Sequence, residues 1–121
     1  MMADTQRRRQ NATKQADALL SKRVRERPGP CFAAGYRFEC GGYWQACHII
    51  RRRYYALRFK DENLVKMCGA HHTFFTHHDL EWQDYVNEQD GLYDLLHRRA
   101  LTEPSEKAVD ALARLKALVT S

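Results

Sequence analysis

The sequence predicts an α+β fold in which a small, irregular β core lies between mostly helical flanks. Three observations predict it. Apolar residues fall near helical spacing in the first part of the chain, and the breaker at residues 28–30 (Pro-Gly-Pro) ends that pattern. Residues 31–60 are then rich in aromatic residues and glycine, and helical periodicity returns from Cys68 onward. A chain of 121 residues has room for one domain of this kind.

Residues 1–28 are predicted to form a basic helical arm. The helix is expected between Ala3 and Arg27, with Asp4 or Thr5 as its cap. Its apolar stripe is thin, which predicts that the segment packs lightly or extends as an arm. The stripe consists of Ala12, Ala16, Leu19, Leu20 and Val24.

Residues 29–88 are predicted to form the core. Short strands are expected at Tyr36–Phe38 and at His48–Ile50, where aromatic and β-branched residues cluster between glycines and turn residues. One helix is expected to begin near Gly69–His71 and another to run near Leu80–Asn87, because the apolar spacing becomes helical there.

Residues 89–121 are predicted to form C-terminal helices that pack on the core or on a partner. Gly91 opens a segment that stops near Thr102, and a final helix follows Pro104. The spacing of its apolar residues indicates a packing face rather than chemistry. That face is expected to contain Val109, Leu112, Leu115 and Leu118 or Val119.

Positive charge is concentrated in the first two thirds of the chain. The overall net charge is +5, with +5 on residues 1–30, +4 on residues 31–78 and −4 on residues 79–121. A basic field of this kind favours an anionic polymer as partner, because neutralised phosphates release counterions. The alternative is that the arginine run at residues 7–9 is only a solvated helix face.

Two classes of protein are disfavoured by the sequence. No apolar run approaches the roughly 18 residues of a membrane-spanning helix. The N-terminus lacks the apolar segment of a secretory signal. We therefore expect no membrane partner and a reducing, cytoplasmic environment, in which cysteines bind metal more readily than they form disulfides.

Four cysteines and a nearby histidine predict a structural zinc site. Cys68 and His71 are three residues apart, a spacing that lets two side chains bind one tetrahedral ion. Cys31 and Cys40 would complete a Cys3His set that ties the preceding loop to the start of a helix. The fourth cysteine is Cys47, and the alternative is that the thiols are buried and bind nothing.

Three short motifs provide a more specific signal: CHII at residues 47–50, DENL at residues 61–64 and CGAHH at residues 68–72. The gap from the first histidine to the asparagine is 15 residues, and from the asparagine to the last histidine it is nine. In these motifs and gaps the chain resembles the HNH endonucleases, also called ββα-metal or His-Me finger nucleases, over about residues 31–85. It is most similar to small phage-borne members, a branch that includes recombination endonucleases acting on branched DNA.

The resemblance implies a zinc-stapled ββα-metal finger and a role for each motif residue. His48 would be the general base, and His72 would bind one catalytic divalent cation, which could be Mg²⁺, Mn²⁺, Ni²⁺ or Zn²⁺. Imidazole also suits the base role on physical grounds, because it accepts a proton near neutral pH. Asn63 would tie the intervening loop and hold the base in position; taken alone, it would be read as an ordinary turn residue.

Four arginines lie between the expected base and the asparagine: Arg51, Arg52, Arg53 and Arg58. Arginine binds phosphate in bidentate fashion and can stabilise negative charge in a transition state. Arg58 is expected to act at the scissile phosphate together with Arg52, while the run at residues 51–53 is expected to bind DNA. The alternative is that part of this run is a solvated loop.

The chain departs from the family pattern at two positions. Cys47 stands where many members have Asp or His as a second ligand to the catalytic metal, and a thiolate suits zinc far better than magnesium. Either Cys47 is a packed thiol or the site favours a softer ion. Thr76 stands where some members have another metal-binding histidine. His77 is the candidate substitute, with His78 beside it; the alternative is that both are exposed or contact DNA.

The expected function is metal-dependent hydrolysis of DNA phosphodiester bonds, leaving 5′-phosphates, in the cytoplasm of a bacterium or a phage-infected host cell. The leading alternative is a non-catalytic, zinc-containing DNA-binding module, which the cysteine at position 47 favours. A third interpretation, a helical interaction protein with incidental Cys and His, treats the three motifs as chance. Branched DNA as substrate and a homodimeric state are both left open.

Overall fold

The computed structural model of the chain describes residues 3–120, with backbone alone for residues 119 and 120. The fold is α+β, as the sequence predicts: helices surround a two-stranded antiparallel sheet. A single-turn 3₁₀ helix, Asp61–Asn63, precedes the second strand. In chain order the elements are α1 (Asp4–Arg25), β1 (Trp44–His48), β2 (Leu64–Cys68), α2 (Gly69–Thr76), α3 (Asp79–Asn87), α4 (Leu92–Thr102) and α5 (Ala108–Thr120).

The sheet and α2 form a continuous strand–strand–helix unit. Trp44 pairs with Cys68 and His48 pairs with Leu64 in the antiparallel register. α2 begins directly after β2, and the Sγ atom of Cys68 caps it by accepting a hydrogen bond from the backbone N–H of His71 at 3.4 Å. The start of β1 therefore lies beside the start of α2, whereas His48, at the end of β1, lies at the opposite end of the sheet.

The strand expected at Tyr36–Phe38 is wrong, and the one expected at His48–Ile50 is displaced. The first segment is a series of turns in which the N–H of Tyr36 donates to the carbonyl of Ala33, and Arg37 has a φ of 59°, which breaks extended structure. β1 ends at His48, because the next residues turn into the loop that leads to Asn63.

α1 packs on the body of the protein instead of extending from it. Its stripe of Ala12, Ala16, Leu20 and Val24 is buried and forms a second core with α5, Phe59 and neighbouring side chains. Two alanines in the stripe allow the helix backbones to approach closely, which makes an apparently thin stripe sufficient for packing. The cap of α1 is Ala3, which makes no side-chain hydrogen bond, so the expected caps Asp4 and Thr5 are wrong.

The packing face of α5 agrees with the expected one in part. Leu115 is buried and Leu112 is partly buried against the second core, as expected, but Val109 and Leu118 are exposed, and Ala108 and Ala111 complete the buried face. Contact with the alanines of α1 selects the small-residue face of α5, because that face permits the shorter helix separation. Val119, part of the expected face, lies outside the described side chains.

The first core lies on the other face of the sheet, against α2, α3 and α4. Trp82 of α3 donates its indole N–H to the carbonyl of Ile49 at 3.3 Å, which anchors α3 beside the end of β1. Among the described residues, no helix is both long and apolar enough to cross a membrane.

Candidate metal centre and histidine cleft

Four side chains converge where β2 meets α2, and they are the four predicted from the sequence: Cys31, Cys40, Cys68 and His71. Their Sγ and Nδ1 atoms all lie within 4.8 Å of one another. The Nδ1 atom of His71 is 3.1 Å from the Sγ of Cys68, 3.8 Å from that of Cys40 and 3.9 Å from that of Cys31. Three thiols and one imidazole in this arrangement could hold a metal ion such as zinc.

Hydrogen bonds from neighbouring groups orient these side chains and favour the protonation states that bind a metal. The Nε2 atom of His71 donates to the carbonyl of Tyr36 at 2.8 Å, which leaves Nδ1 as the free ligand atom. The N–H of Cys68 donates to the Sγ of Cys31 at 3.3 Å. Burial raises the pKa of the Cys68 thiol, but hydrogen bonds from the backbone of His71 and Gly41 and from the side chains of His71 and Cys40 together outweigh burial and lower the pKa to about 6. Cys68 therefore favours the thiolate that a metal requires.

A cleft of about 440 Å³ lies at the end of β1, and none of the four cluster residues lines it. His48 from β1 and His72 from α2 line the same cleft, together with Arg52 from the following loop. The strand–strand–helix unit thus brings together two histidines that are well separated in the chain. The remaining walls include Cys47, Thr76, Asp79, Trp82 and Tyr93.

His48 is held as a neutral imidazole with one free nitrogen. Its Nε2 atom donates to the carbonyl oxygen of Arg58 at 2.9 Å, so Nδ1 is left as the acceptor. Burial is the main cause that lowers the pKa of His48. The hydrogen bond to the Arg58 carbonyl opposes it, the positive charge of Arg52 lowers the pKa again, and the Asp17 carboxylate raises it by a smaller amount. A neutral imidazole at physiological pH is able to accept a proton.

His72 has the complementary arrangement. Its Nδ1 atom donates to the Oε1 atom of Gln45, so Nε2 is left free. Burial and the charge of Arg52 lower the pKa of His72. A neutral histidine with an oriented ring and a free nitrogen is the form that binds metal ions. Gln45 was not predicted from the sequence, since no spacing distinguishes it from a surface polar residue.

Asn63 is fully buried and its amide closes the loop that follows β1. Its Oδ1 atom accepts from the N–H of Ile50 at 2.8 Å, and its Nδ2 atom donates to the carbonyl of Ile50 at 3.0 Å and to that of Leu57 at 3.3 Å. The backbone carbonyl of Asn63 also accepts from the N–H of Ile49 at 2.7 Å. These bonds fix both ends of the loop and hold the chain directly after His48.

The four arginines of this loop differ in what they contact. The guanidinium of Arg58 binds the Asp17 carboxylate at 2.6 and 3.2 Å, and this ion pair holds the pKa of Arg58 above its ordinary value. Arg51 pairs with Asp79 at 3.1 Å. Arg53 lies exposed over the ring of Tyr54. The guanidinium of Arg52 lines the cleft and makes no hydrogen bond or ion pair with the described residues.

Two further candidates for the catalytic metal occupy positions that do not favour this role. Cys47 is 7% exposed, its thiol faces the carbonyl of His48 at 3.7 Å, and burial raises its pKa to about 12. It is therefore a packed, neutral thiol. His77 is exposed just after α2 and does not line the cleft, whereas Thr76 does. His78 stacks on Phe74 with ring centroids 4.1 Å apart.

Three residues that line or support the cleft have no signal in the sequence that would have identified them. Asp79 and Tyr93 lie on α3 and α4, where the sequence shows only helical periodicity, and Asp17 acts from α1 through Arg58.

Comparisons with protein-family models, with curated proteins and with solved structures find no match for this chain. Within the described part of the chain, the cleft offers two neutral imidazoles, each with a free nitrogen, and a guanidinium without an ion-pair partner.

Proposed function

We propose that this protein is a metal-dependent DNA endonuclease of the ββα-metal type, which hydrolyses phosphodiester bonds. The observation that carries the proposal is that His48 and His72 open onto one cleft, each with one ring nitrogen fixed by a hydrogen bond and the other free. One neutral imidazole suits a general base and the other suits a metal ligand, and such a pair can support metal-assisted phosphodiester hydrolysis.

Each residue has a defined part in this reaction. Nδ1 of His48 accepts the proton of the attacking water, while the carbonyl of Arg58 keeps the ring in the required tautomer. Nε2 of His72 would hold the divalent ion, which supplies charge neutralisation at the scissile phosphate and the leaving 3′ oxygen. Asn63 positions the base by fixing the loop behind it.

Arg52 is the arginine we assign to the phosphate in the cleft. Its guanidinium is unpaired among the described residues, and its charge acts on both His48 and His72, which places it within electrostatic reach of both. An unpaired guanidinium is free to bind a phosphate in bidentate fashion. Arg58 is less suited to this task, since its guanidinium is already bound to Asp17.

A supercoiled-plasmid assay tests the proposal. Wild-type protein and His48→Ala are incubated with EDTA, Mg²⁺, Mn²⁺, Ni²⁺ or Zn²⁺, and DNA affinity is measured separately by fluorescence anisotropy. We expect relaxed or linear product that needs the ion, a loss of at least about a hundredfold in His48→Ala, as for a missing general base, and DNA affinity within a few-fold of wild type. Equal cleavage by the variant would show that His48 is not the base.

A second candidate function, a zinc-containing DNA-binding module without catalysis, is favoured by one observation. The position where the family has an acid or imidazole holds the buried, neutral thiol of Cys47. If wild-type protein shifts DNA with every ion tested but cuts none, this second function replaces the first. The intact hydrogen bonds of His48 and His72 argue against it, because a pure binder has no need of two oriented imidazoles.

A further inference from the structure

Asp79, the first residue of α3, brings a carboxylate to the cleft that contains His48 and His72. Among the described residues that line this cleft, it is the one acid. Its side chain is 46% exposed, so it is accessible to an ion in the cleft. A carboxylate is the ligand that hard divalent cations such as Mg²⁺ and Mn²⁺ prefer.

Cys47 is poorly suited to serve as the second ligand to such an ion. The thiol is buried and directed at the carbonyl of His48. Sulfur is also a soft ligand, which binds hard cations weakly. If Cys47 contributes nothing, His72 is the one protein ligand so far assigned to the ion, and a single imidazole holds a hard cation poorly.

The present partners of Asp79 are ones that it can exchange. Its Oδ2 atom pairs with Arg51 at 3.1 Å and accepts from the amide of Gln83, one helical turn later, at 3.0 Å. The side chains of Arg51 and Asp79 are 65% and 46% exposed, and ion pairs that are this exposed to water contribute little to stability. A divalent cation is a stronger partner for the carboxylate than a solvated guanidinium is.

We propose that Asp79 supplies the carboxylate ligand to the divalent ion bound by His72, in place of the residue at position 47. When the ion binds, the Asp79 carboxylate leaves Arg51 and binds the cation. The released guanidinium of Arg51 then faces the DNA backbone beside Arg52. The inference rests on the proposed function, since it concerns the ion of that reaction. It assigns a metal ligand to α3, outside the metal-binding motif of residues 68–72.

Direct measurement of Mn²⁺ binding to the zinc-loaded chain tests this assignment. Free Mn²⁺ is followed by electron paramagnetic resonance in wild type, Asp79→Asn, Cys47→Ala and the control Asp84→Asn, an exposed acid on the same helix. We expect Asp79→Asn to weaken Mn²⁺ binding at least about tenfold, as removal of a ligand does. The Cys47 and Asp84 variants should stay within about twofold of wild type, and zinc content and circular dichroism should be unchanged in all.

Replacement by a softer ligand separates coordination from a simple effect of charge. Asp79→His keeps a ligand but exchanges oxygen for nitrogen, so the preference should shift from Mn²⁺ towards Ni²⁺. A residue that acts only through its charge would give the same loss of affinity for both ions. Either that equal loss or an unchanged Mn²⁺ affinity in Asp79→Asn overturns the assignment, as does a loss in Cys47→Ala as large as that in Asp79→Asn.

The two proposals fail in different ways. Wild-type protein that cleaves DNA with Mn²⁺, while Asp79→Asn binds Mn²⁺ and cleaves equally well, leaves the endonuclease standing and refutes the role of Asp79. Wild-type protein that neither binds Mn²⁺ nor cleaves DNA refutes both. Cleavage by wild type together with weak Mn²⁺ binding and slow cleavage by Asp79→Asn supports both.

Discussion

The carbonyl oxygen of Arg58 lies 2.9 Å from Nε2 of His48, whereas the guanidinium of Arg58 binds Asp17 on α1. One residue thus orients the proposed base through its backbone and fastens the loop to the N-terminal helix through its side chain. The side chains of Arg58 and Asp17 are 14% and 22% exposed, so the pair is largely shielded from water. α1, which lies far from the cleft in the sequence, therefore supports the histidine cleft.

Substitutions of Arg58 and Arg52 should separate support of the loop from chemistry. Arg58→Met keeps the carbonyl that holds His48 but leaves Asp17 unpaired, so we expect unfolding to become easier by about 1–3 kcal/mol, with cleavage by folded protein within about threefold. Arg52→Ala should do the opposite: stability within about 0.5 kcal/mol and cleavage slower by at least about tenfold.

Urea unfolding and single-turnover cleavage, measured at the same temperature, check both expectations. The two variants are controls for each other, since each removes one arginine from the same loop. A large drop in cleavage by folded Arg58→Met, with little effect in Arg52→Ala, would reverse the assignment and return the phosphate role to Arg58.

The pH dependence of cleavage should reflect the lowered pKa of His48. Burial and Arg52 hold this pKa below its ordinary value of 6.5, so the imidazole stays neutral, and able to act as base, as the pH falls through 6.5. We expect the single-turnover rate to decline only at lower pH. The same shift means that the unfolded state binds the proton more readily, so the stability that neutral His48 contributes is present above pH 6.5 and is lost as the pH falls below it.

Removal of the Arg52 charge should shift the pH at which the cleavage rate falls on the acid side. Arg52→Ala takes away one of the causes that lower the pKa of His48. The pH at which the rate is half its maximum should therefore rise towards 6.5, although the maximal rate itself is smaller. Rates measured across a pH series at constant ionic strength provide the check. If the wild-type rate were half-maximal at a pH above 6.5 on the acid side, the expectation would be contradicted.

The sequence predicts the metal cluster better than it predicts the packing of helices. Cys68 and His71 are close in the chain, and few cysteines were available to complete the set, so local spacing leads to the same four residues that converge in the structure. The packing of α1 on α5 depends on Ala12 and Ala16, whose small side chains give no strong periodic signal. The contribution of an alanine becomes visible only when the opposing helix is known.

In the cleft too, the sequence predicts residues that lie in local motifs and misses residues that come from distant helices. The motifs identify His48, Asn63 and His72 because each lies at a fixed separation from the others. Asp79 and Asp17 approach the cleft or its supporting loop from helices whose sequences resemble any solvated helix surface. Which arginine is paired and which is free is likewise decided by such distant partners, so the sequence could not separate Arg58 from Arg52.

Replacement of Asn63 should reduce stability strongly. Asn63→Ala removes three side-chain hydrogen bonds in a fully buried position and leaves the N–H and carbonyl of Ile50 without their partner. We expect a decrease of about 2–4 kcal/mol in the free energy of unfolding, together with slower cleavage, because the loop behind His48 is released. Urea unfolding measures the first effect. A variant of wild-type stability would show that the loop is held by other interactions.

Zinc should be present at about one ion per chain, and folding should depend on it. Cys31→Ser removes one ligand, so we expect loss of zinc and of native circular dichroism. Cys47→Ala is the matched control, since it removes a buried thiol outside the cluster and should retain zinc. Metal analysis by mass spectrometry together with thermal unfolding makes the check. Folded wild-type protein without zinc, after purification in its presence, would contradict the structural role.

The basic N-terminus of α1 should contribute to DNA affinity through charge alone. Deletion of residues 1–27 would test this poorly, because it also removes Leu20 and Val24 from the second core. Replacement of the exposed arginines at residues 7–9 by glutamine leaves that core intact. If these side chains bind phosphates, the slope of log affinity against log salt should become shallower by about 0.9 for each phosphate that is no longer neutralised. Fluorescence anisotropy over a salt series measures the slope, with Arg98→Gln on α4 as control, and equal slopes in the wild type and the triple variant would limit α1 to its packing role.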